Sequence, residues 1–365
     1  MEALIQTLCA VTIAQFVMWC IGGVLIYLAI AKNMEPALLL PMGFGAILVN
    51  LPDSGAAAVI GHLFELGISR YEVFPLLLFI GIGAMIDFQP LLCSPRLMLF
   101  GAAAQFGIFF TLGLASLLGF ALKDAASIAI IGAADGPTSI FVAQVLKSNH
   151  TAAIMVAAYS YMALVPMVQP PIIRLCTTRA ERKIRMQYKS RSVSRLTKIL
   201  FPIGVTVIVG LVAPDAVALI GFLMFGNLIR ECGVLNSLSD TAQNVLANLI
   251  TILLGLTIAS RMSAEEFLRV ETLLIMGLGL VAFAADTFGG IMLAKFMNLF
   301  LKEKINPMIG AAGISAFPMS ARVVHKLGLE EDNQNFLLMH AVGVNVSGQI
   351  ASVIAGGLIL ALVGG

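Results

Sequence analysis

Apolar runs separated by short polar stretches fill this chain, at lengths that suit α-helices crossing a bilayer. They cover Cys9–Ala31, Ala37–Leu51, Val73–Ile86, Leu97–Phe120, Ala126–Leu146 and Thr151–Leu175. After a polar interval come Ile199–Val212, Ala216–Ile229, Val245–Ala259, Leu273–Phe300, Pro307–Val323 and Phe336–Val363. A spanning helix needs about 20 apolar residues. A membrane β-barrel would instead alternate over segments of roughly ten residues. The first run is too long for a signal-peptide core and no small-residue cleavage site follows it, so it reads as a retained first span. The fold class predicted is an all-α polytopic membrane protein.

The runs also repeat. Ile131-Gly132-Ala133-Ala134-Asp135-Gly136-Pro137-Thr138 is echoed by Ile309-Gly310-Ala311-Ala312-Gly313-Ile314-Ser315-Ala316, and both sit in runs that Gly and Pro interrupt. Gly81-Ile82-Gly83-Ala84-Met85-Ile86 has a weaker counterpart in Gly255-Leu256-Thr257-Ile258-Ala259. Duplicated broken helices point to two inverted-topology repeats with an ion or substrate site between them, as in ion transporters. The expected organisation is residues 1–19 as the N-terminal part of the first span, 20–175 as repeat 1, 176–198 as a basic loop and 199–365 as repeat 2.

Composition narrows the class further. Of 365 residues 59% are hydrophobic and 12% charged, with a mean hydropathy of +0.98. A soluble domain carries about twice that share of charge. The net charge of +2 matters less than its placement. Arg174, Arg179, Arg182, Lys183, Arg185, Lys189, Arg191, Arg195 and Lys198 crowd one interval, opposed within it only by Glu181. Such a loop between spans belongs on the cytoplasmic face, and this position explains the charge without nucleic acid. Thr151–Leu175 then runs from outside to inside. The first broken run, if it crosses, goes inside to outside, and the second outside to inside. That places Arg322 near the cytoplasmic face and the C-terminus outside, but it also puts Lys302 and Lys304 outside, against the charge rule. The five cysteines, Cys9, Cys20, Cys93, Cys176 and Cys232, lack metal-ligand spacing and read as small apolar residues. The four scattered histidines support no zinc or haem site.

Asp135 is the leading functional candidate. A carboxylate at mid-membrane costs about 2.5–3.5 kcal/mol on insertion scales. Gly136, Pro137 and Thr138 break the helix beside it and free carbonyl and hydroxyl oxygens. That set suits a hard cation such as sodium; capping of the next half-helix is the alternative. In the second broken run Asn306 and Ser315 offer neutral oxygens, Gly310 allows close backbone approach, and Arg322 either holds a carboxylate or snorkels to headgroups. Tyr159 and Tyr161 either pack or serve as phenols beside Asp135. Asp286 is a structural partner or an accessory relay. Asn345, Ser347 and Gln349 either line the same cavity or bond across helices. Glu35, Asp53 and Asp87 end their runs, where solvated or capping roles are expected.

At these residues the chain resembles the β subunit of the sodium-pumping, biotin-dependent decarboxylases of oxaloacetate, methylmalonyl-CoA and glutaconyl-CoA. The likeness rests on Gly-Ala-Ala-Asp-Gly-Pro-Thr at 132–138, Ala-Ala-Tyr-Ser-Tyr-Met-Ala-Leu-Val-Pro at 157–166, Gln-Pro-Pro-Ile at 169–172, and the run from Asn306 to Val323. It implies decarboxylation of carboxybiotin coupled to sodium export and inward proton movement. Asp135, Tyr161 and Arg322 would be catalytic, with Arg322 holding carboxybiotin. Asp135, Thr138, Asn306, Gly310 and Ser315 would bind Na+, with Tyr159, Asp286 and Asn345 as accessories. The chain has no Met-Lys-Met of the kind that accepts biotin, so carboxybiotin would be supplied in trans. The resemblance further implies a biotin carrier subunit, a carboxyltransferase α subunit, a small single-span γ/δ subunit, a homo-oligomer and the prokaryotic inner membrane. It also suggests motion of one half against the other, as in elevator-type carriers. A stand-alone Na+-coupled carrier of organic anions is the alternative.

Overall fold

A computed structural model describes residues 11–33, 35–52, 55–70, 72–187 and 192–364. Cys9, Asp53, Lys189 and Arg191, singled out above, lie outside these residues, as does most of the 1–19 interval.

Helix α1 (Ile13–Ala31) starts at a capping box, in which Thr12 and Gln15 satisfy each other's backbone N–H groups. The apolar α2 (Pro36–Val49) follows, with proline in its first turn. Next comes α3 (Gly55–Phe64), continued by a π-helical turn over Glu65–Ser69, and then α4 (Val73–Met85). The 55–69 segment is a helix that the hydrophobic pattern missed, because Gly and Ala dominate its start. Helices α5 (Met98–Ala104) and α6 (Phe106–Leu117) form one span broken at Gln105. The first broken run becomes α7 (Leu122–Ala129), a 3-10 turn over Ile130–Ala133, and α8 (Gly136–Val145). Helix α9 (Thr151–Cys176) leads to the basic interval. Beyond it lie α10 (Arg195–Val212), α11 (Val217–Glu231), α12 (Ala247–Ile258) and α13 (Val270–Phe300). The second broken run is a 3-10 stretch over Pro307–Gly313 followed by α14 (Met319–Glu331), and α15 (Leu338–Val363) closes the described chain. Among the described residues seven helices are long and apolar enough to cross a membrane, or eight if the bent α3–α4 pair counts as one. The all-helical polytopic class is therefore observed.

The helices sort into two groups by their neighbours. Helices α1, α2, α4, α11 and α12 pack on one another, and α10 lies against α11. The second group gathers α5–α9 and α13–α15 around both broken runs. Helices α1 and α10 bury only 17% and 11% of their apolar windows, so most of their surface is left for lipid.

Neither broken run crosses from one end of the bundle to the other. Near the start of α7, Asp124 accepts hydrogen bonds from Ser148 Oγ at 2.7 Å and Asn149 N at 2.9 Å. The first run thus enters and leaves at the end where α9 begins. Asn306 Nδ2 donates to the carbonyls of Arg182 and Ile184, both at 2.9 Å, and Asn335 Nδ2 donates to Arg182 O at 2.9 Å. The second run therefore begins and ends beside the basic interval, at the far end of α9, whose 26 residues span about 39 Å. This corrects the crossing topology read from the sequence. Hydropathy is the same whether a Gly/Pro-broken run goes straight or turns back, and turning back is tolerated where protein surrounds the tip. The correction also brings Lys302 and Lys304 to the same end as the basic interval. The described C-terminal residues stay at the opposite end, where Leu360 and Val363 pack with Leu146.

Counter-charges for the basic interval come from the end of α14, which sequence proximity did not reveal. Arg174 pairs with Glu330 at 2.8 Å, Arg182 with Glu331 at 2.7 Å, and Arg185 with Asp332 at 2.6 Å. Lys295 reaches Glu181 at 3.1 Å. Hydrogen bonds from Arg182 and Arg185 hold the Glu331 and Asp332 carboxyls below the usual carboxylate range.

Candidate functional site

The tips of the two hairpins touch. Ser315 N donates to Ala133 O at 2.9 Å, so each tip satisfies part of the other's interrupted backbone. Asp135 follows at once as the N-cap of α8. One carboxylate oxygen accepts from Thr138 N at 3.3 Å, and the other from Thr138 Oγ1 at 2.8 Å and Ser352 Oγ at 2.9 Å. The Asp135 residue is only 4% exposed. Capping and a place in a polar site are therefore both true of Asp135.

Beside it is a cavity of about 140 Å³ on the seam between the two helix groups. Leu78, Ile82 and Asn248 line one wall; Asp135, Tyr159, Ser315 and Gln349 line the other. Glu35 also lines it, and it lies close enough to Arg322 for their charges to interact. Arg322 itself is exposed, on the first turn of α14. A second cavity of about 760 Å³ sits where α9 begins, lined by Lys147, His150, Arg261, Glu266 and Glu271 among others.

The structure separates residues that the sequence grouped together. Ser315 joins Asp135 at the tip, with Oγ donating to Gly348 O at 3.1 Å. Asn306 instead caps the 3-10 stretch, accepting from Met308 N at 3.0 Å, while its amide is held by carbonyls of the basic interval. It does not line the Asp135 cavity. Gly310 lies where the second hairpin crosses α13: a side chain there would collide with the Gly290 carbonyl, and one at Gly290 with Gly310's. Its small size serves that contact.

The two tyrosines part company as well. Tyr161 Oη donates to Met276 O at 2.6 Å, packing α9 on α13. Tyr159 is fully buried, lines the cavity, and its hydroxyl has no hydrogen-bond partner. Asp286 accepts from Ile108 N at 3.2 Å, and its other oxygen lies against Gly132 on the first hairpin. It thus ties the start of α6 to the tip. Asn345 Nδ2 donates to Ala312 O and Ile314 O at 3.2 and 2.7 Å, clamping the second tip. Ser347 turns away, to Leu97 O. Ser352 and the cavity-facing Gln349 are site residues the sequence left unassigned or undecided. Their spacing of three on α15 puts them on one face. Among the described residues no group of three or more His, Cys, Asp or Glu is placed to hold a metal ion. What remains at Asp135 is one carboxylate with hydroxyl and amide oxygens, a donor set for a hard alkali cation rather than a transition metal.

Comparison with known proteins identifies a family for the chain. Residues 14–363 match the family described as "Na+-transporting oxaloacetate decarboxylase beta subunit". The chain is 50% identical over 375 residues to the methylmalonyl-CoA decarboxylase subunit beta of Propionigenium modestum, covering 95% of this chain and 94% of that one. It is 49% identical to the glutaconyl-CoA decarboxylase subunit beta of Acidaminococcus fermentans, covering 98% and 95%. With the oxaloacetate decarboxylase beta chain of Haemophilus ducreyi the identity is 46%, covering 96% and 95%.

Proposed function

The chain belongs to the family of Na+-transporting oxaloacetate decarboxylase beta subunits, and on that premise we propose that it decarboxylates carboxybiotin and uses the reaction to export Na+. The observation that carries this reading is the buried Asp135 carboxylate, held beside two touching hairpin tips in a cavity that Glu35 also lines. Carboxybiotin comes in trans on a biotin carrier subunit, loaded by a carboxyltransferase α subunit. A small single-span subunit and further copies of this chain complete the complex. The protein sits in the prokaryotic inner membrane with the basic interval cytoplasmic and the C-terminus external, consistent with the positive-inside rule.

The two halves are inverted repeats, and one helix group moves against the other in the elevator manner. Hairpins entering from opposite ends and meeting at mid-depth support this. Arg322, exposed on the first turn of α14 close to Glu35, receives the carboxylate of carboxybiotin. Loss of that carboxylate as carbon dioxide leaves the biotin nitrogen to take a proton. Asp135 exchanges that proton for Na+: a carboxylate shut away from water favours its neutral form until a cation arrives. Thr138 and Ser315 supply neutral oxygens beside it. Asn306 and Gly310 act through the hairpin, as cap and as close-packed crossing.

The test uses the purified complex in proteoliposomes. Decay of carboxybiotin should need sodium and should drive labelled sodium across the membrane. Decay at the same rate in rigorously sodium-free buffer would overturn the coupling. Gradient-driven carboxylate uptake by this chain alone would favour the stand-alone carrier.

A further inference from the structure

The cavity at Asp135 has an unmatched acceptor. Gln349 is 3% exposed and lines the cavity. Its Nε2 donates to Ser315 O, which fixes which way the amide points, because only the nitrogen can donate to a carbonyl. That leaves Oε1, which is buried and has no partner. An orphan acceptor in a dry site costs about 1–3 kcal/mol, so it calls for a donor or a cation. The amide points its nitrogen at the second hairpin's tip and keeps the oxygen as the one free group. One turn further along α15, Ser352 Oγ bonds to Asp135 Oδ2 at 2.9 Å and to Gln349 O at 3.1 Å. Asn345, one turn back, clamps Ala312 and Ile314. A single face of α15 therefore holds the second tip, carries the unpaired amide oxygen of a cavity-lining side chain, and positions the Asp135 carboxylate on the first.

We propose that Gln349 Oε1 is a direct ligand of the transported alkali cation and sets the preference of the site among Na+, Li+ and K+. This rests on the sodium-pumping reading of Asp135 and adds a second ligand from the same cavity lining. Selectivity follows from how Gln349 is held. Its amide is pinned to one hairpin tip, while the backbone of its own helix is tied through Ser352 to the carboxylate on the other. The oxygen-to-carboxylate distance is then set by protein packing, and an ion of a different radius cannot satisfy both oxygens without pulling the tips apart.

The experiment measures sodium dependence and ion preference of the reconstituted complex, with Gln349→Met and Gln349→Glu. Methionine fills the same volume without an oxygen; glutamate keeps the oxygen but loses the donor to Ser315. Gln349→Met should raise half-saturating sodium by about tenfold or more and flatten the Na+/Li+ preference. Gln349→Glu should keep or tighten sodium binding. If both variants lose turnover equally while half-saturating sodium stays at the wild-type value, the amide merely pins the hairpin and the proposal is overturned. If Gln349→Met does not assemble, Gln349→Glu decides alone: weakened sodium binding there counts against it. A wild-type complex that needs no sodium would instead sink the pumping reading itself, a separable outcome.

Discussion

Ser352 Oγ donates to Asp135 Oδ2 at 2.9 Å, joining the last described helix to the tip of the first hairpin. A hydrogen bond to a charged group is worth about 1.5–3 kcal/mol. Ser352→Ala should therefore weaken sodium binding by about tenfold and leave thermal stability within about 1 kcal/mol. Sodium titration of carboxybiotin decay, alongside detergent-solution melting, checks both halves.

Asp135→Asn keeps the shape of the cap but removes the exchangeable charge. It should assemble normally and lose at least about 100-fold of sodium-dependent turnover, as expected for removing an intramembrane charge that does the work. Activity within a few-fold of wild type would mean that the proton–cation exchange occurs elsewhere.

The tyrosines should separate stability from ion handling. Tyr161→Phe removes the hydrogen bond to the Met276 carbonyl and should cost about 0.5–1.5 kcal/mol, with sodium affinity unchanged. Tyr159→Phe removes a hydroxyl that has no partner in the folded chain, so stability should hold or rise. A shift in half-saturating sodium for Tyr159→Phe alone would identify the tyrosine that faces the ion.

Gly310→Ala tests the crossing with α13. An added methyl meets the Gly290 carbonyl, and overpacking of that kind costs about 1–3 kcal/mol. Melting temperature and turnover should fall together, because the same contact seats the hairpin that carries Ser315.

The basic interval carries a pH signature. Glu331 and Asp332 titrate below their ordinary values because Arg182 and Arg185 bond to them. A lowered folded-state value stabilises above the unfolded one and is lost as pH falls through the folded one. Attachment of the interval to α14 should thus persist from neutral pH to about pH 5 and loosen below about pH 4. Hydrogen exchange at residues 178–186 would show it. Glu331→Gln should exchange faster than wild type at neutral pH and converge on it below about pH 4, and an unchanged rate at neutral pH would mean that the pair holds nothing in place.

Much of this site was legible in the sequence. Asp135 stood out because a carboxylate in an apolar run is costly, and the echo of 131–138 at 309–316 located both hairpin tips. Helix periodicity could not say which tyrosine lined the cavity without knowing which neighbour each face meets: Tyr159 and Tyr161 lie about 200° apart around α9. Gln349 and Ser352 were ambiguous because a polar residue in a span bonds to a neighbouring helix as often as to a ligand. Re-entry was invisible to hydropathy, and so was the pairing of Arg182 with Glu331, which lie far apart in the chain. Asn306 and Gly310 were grouped with Ser315 because all three share one broken run, whereas the 3-10 stretch carries Asn306 away from the Asp135 cavity, out to the bundle's end.

The Ser315–Ala133 backbone bond has a consequence for how the protein can be made. Each turned-back tip stops its own helical bonding deep inside a solvent that offers peptide groups no other partner. Neither half is fit for the bilayer until its sister arrives, so a ribosome that has released only the first half leaves a raw edge waiting for the second.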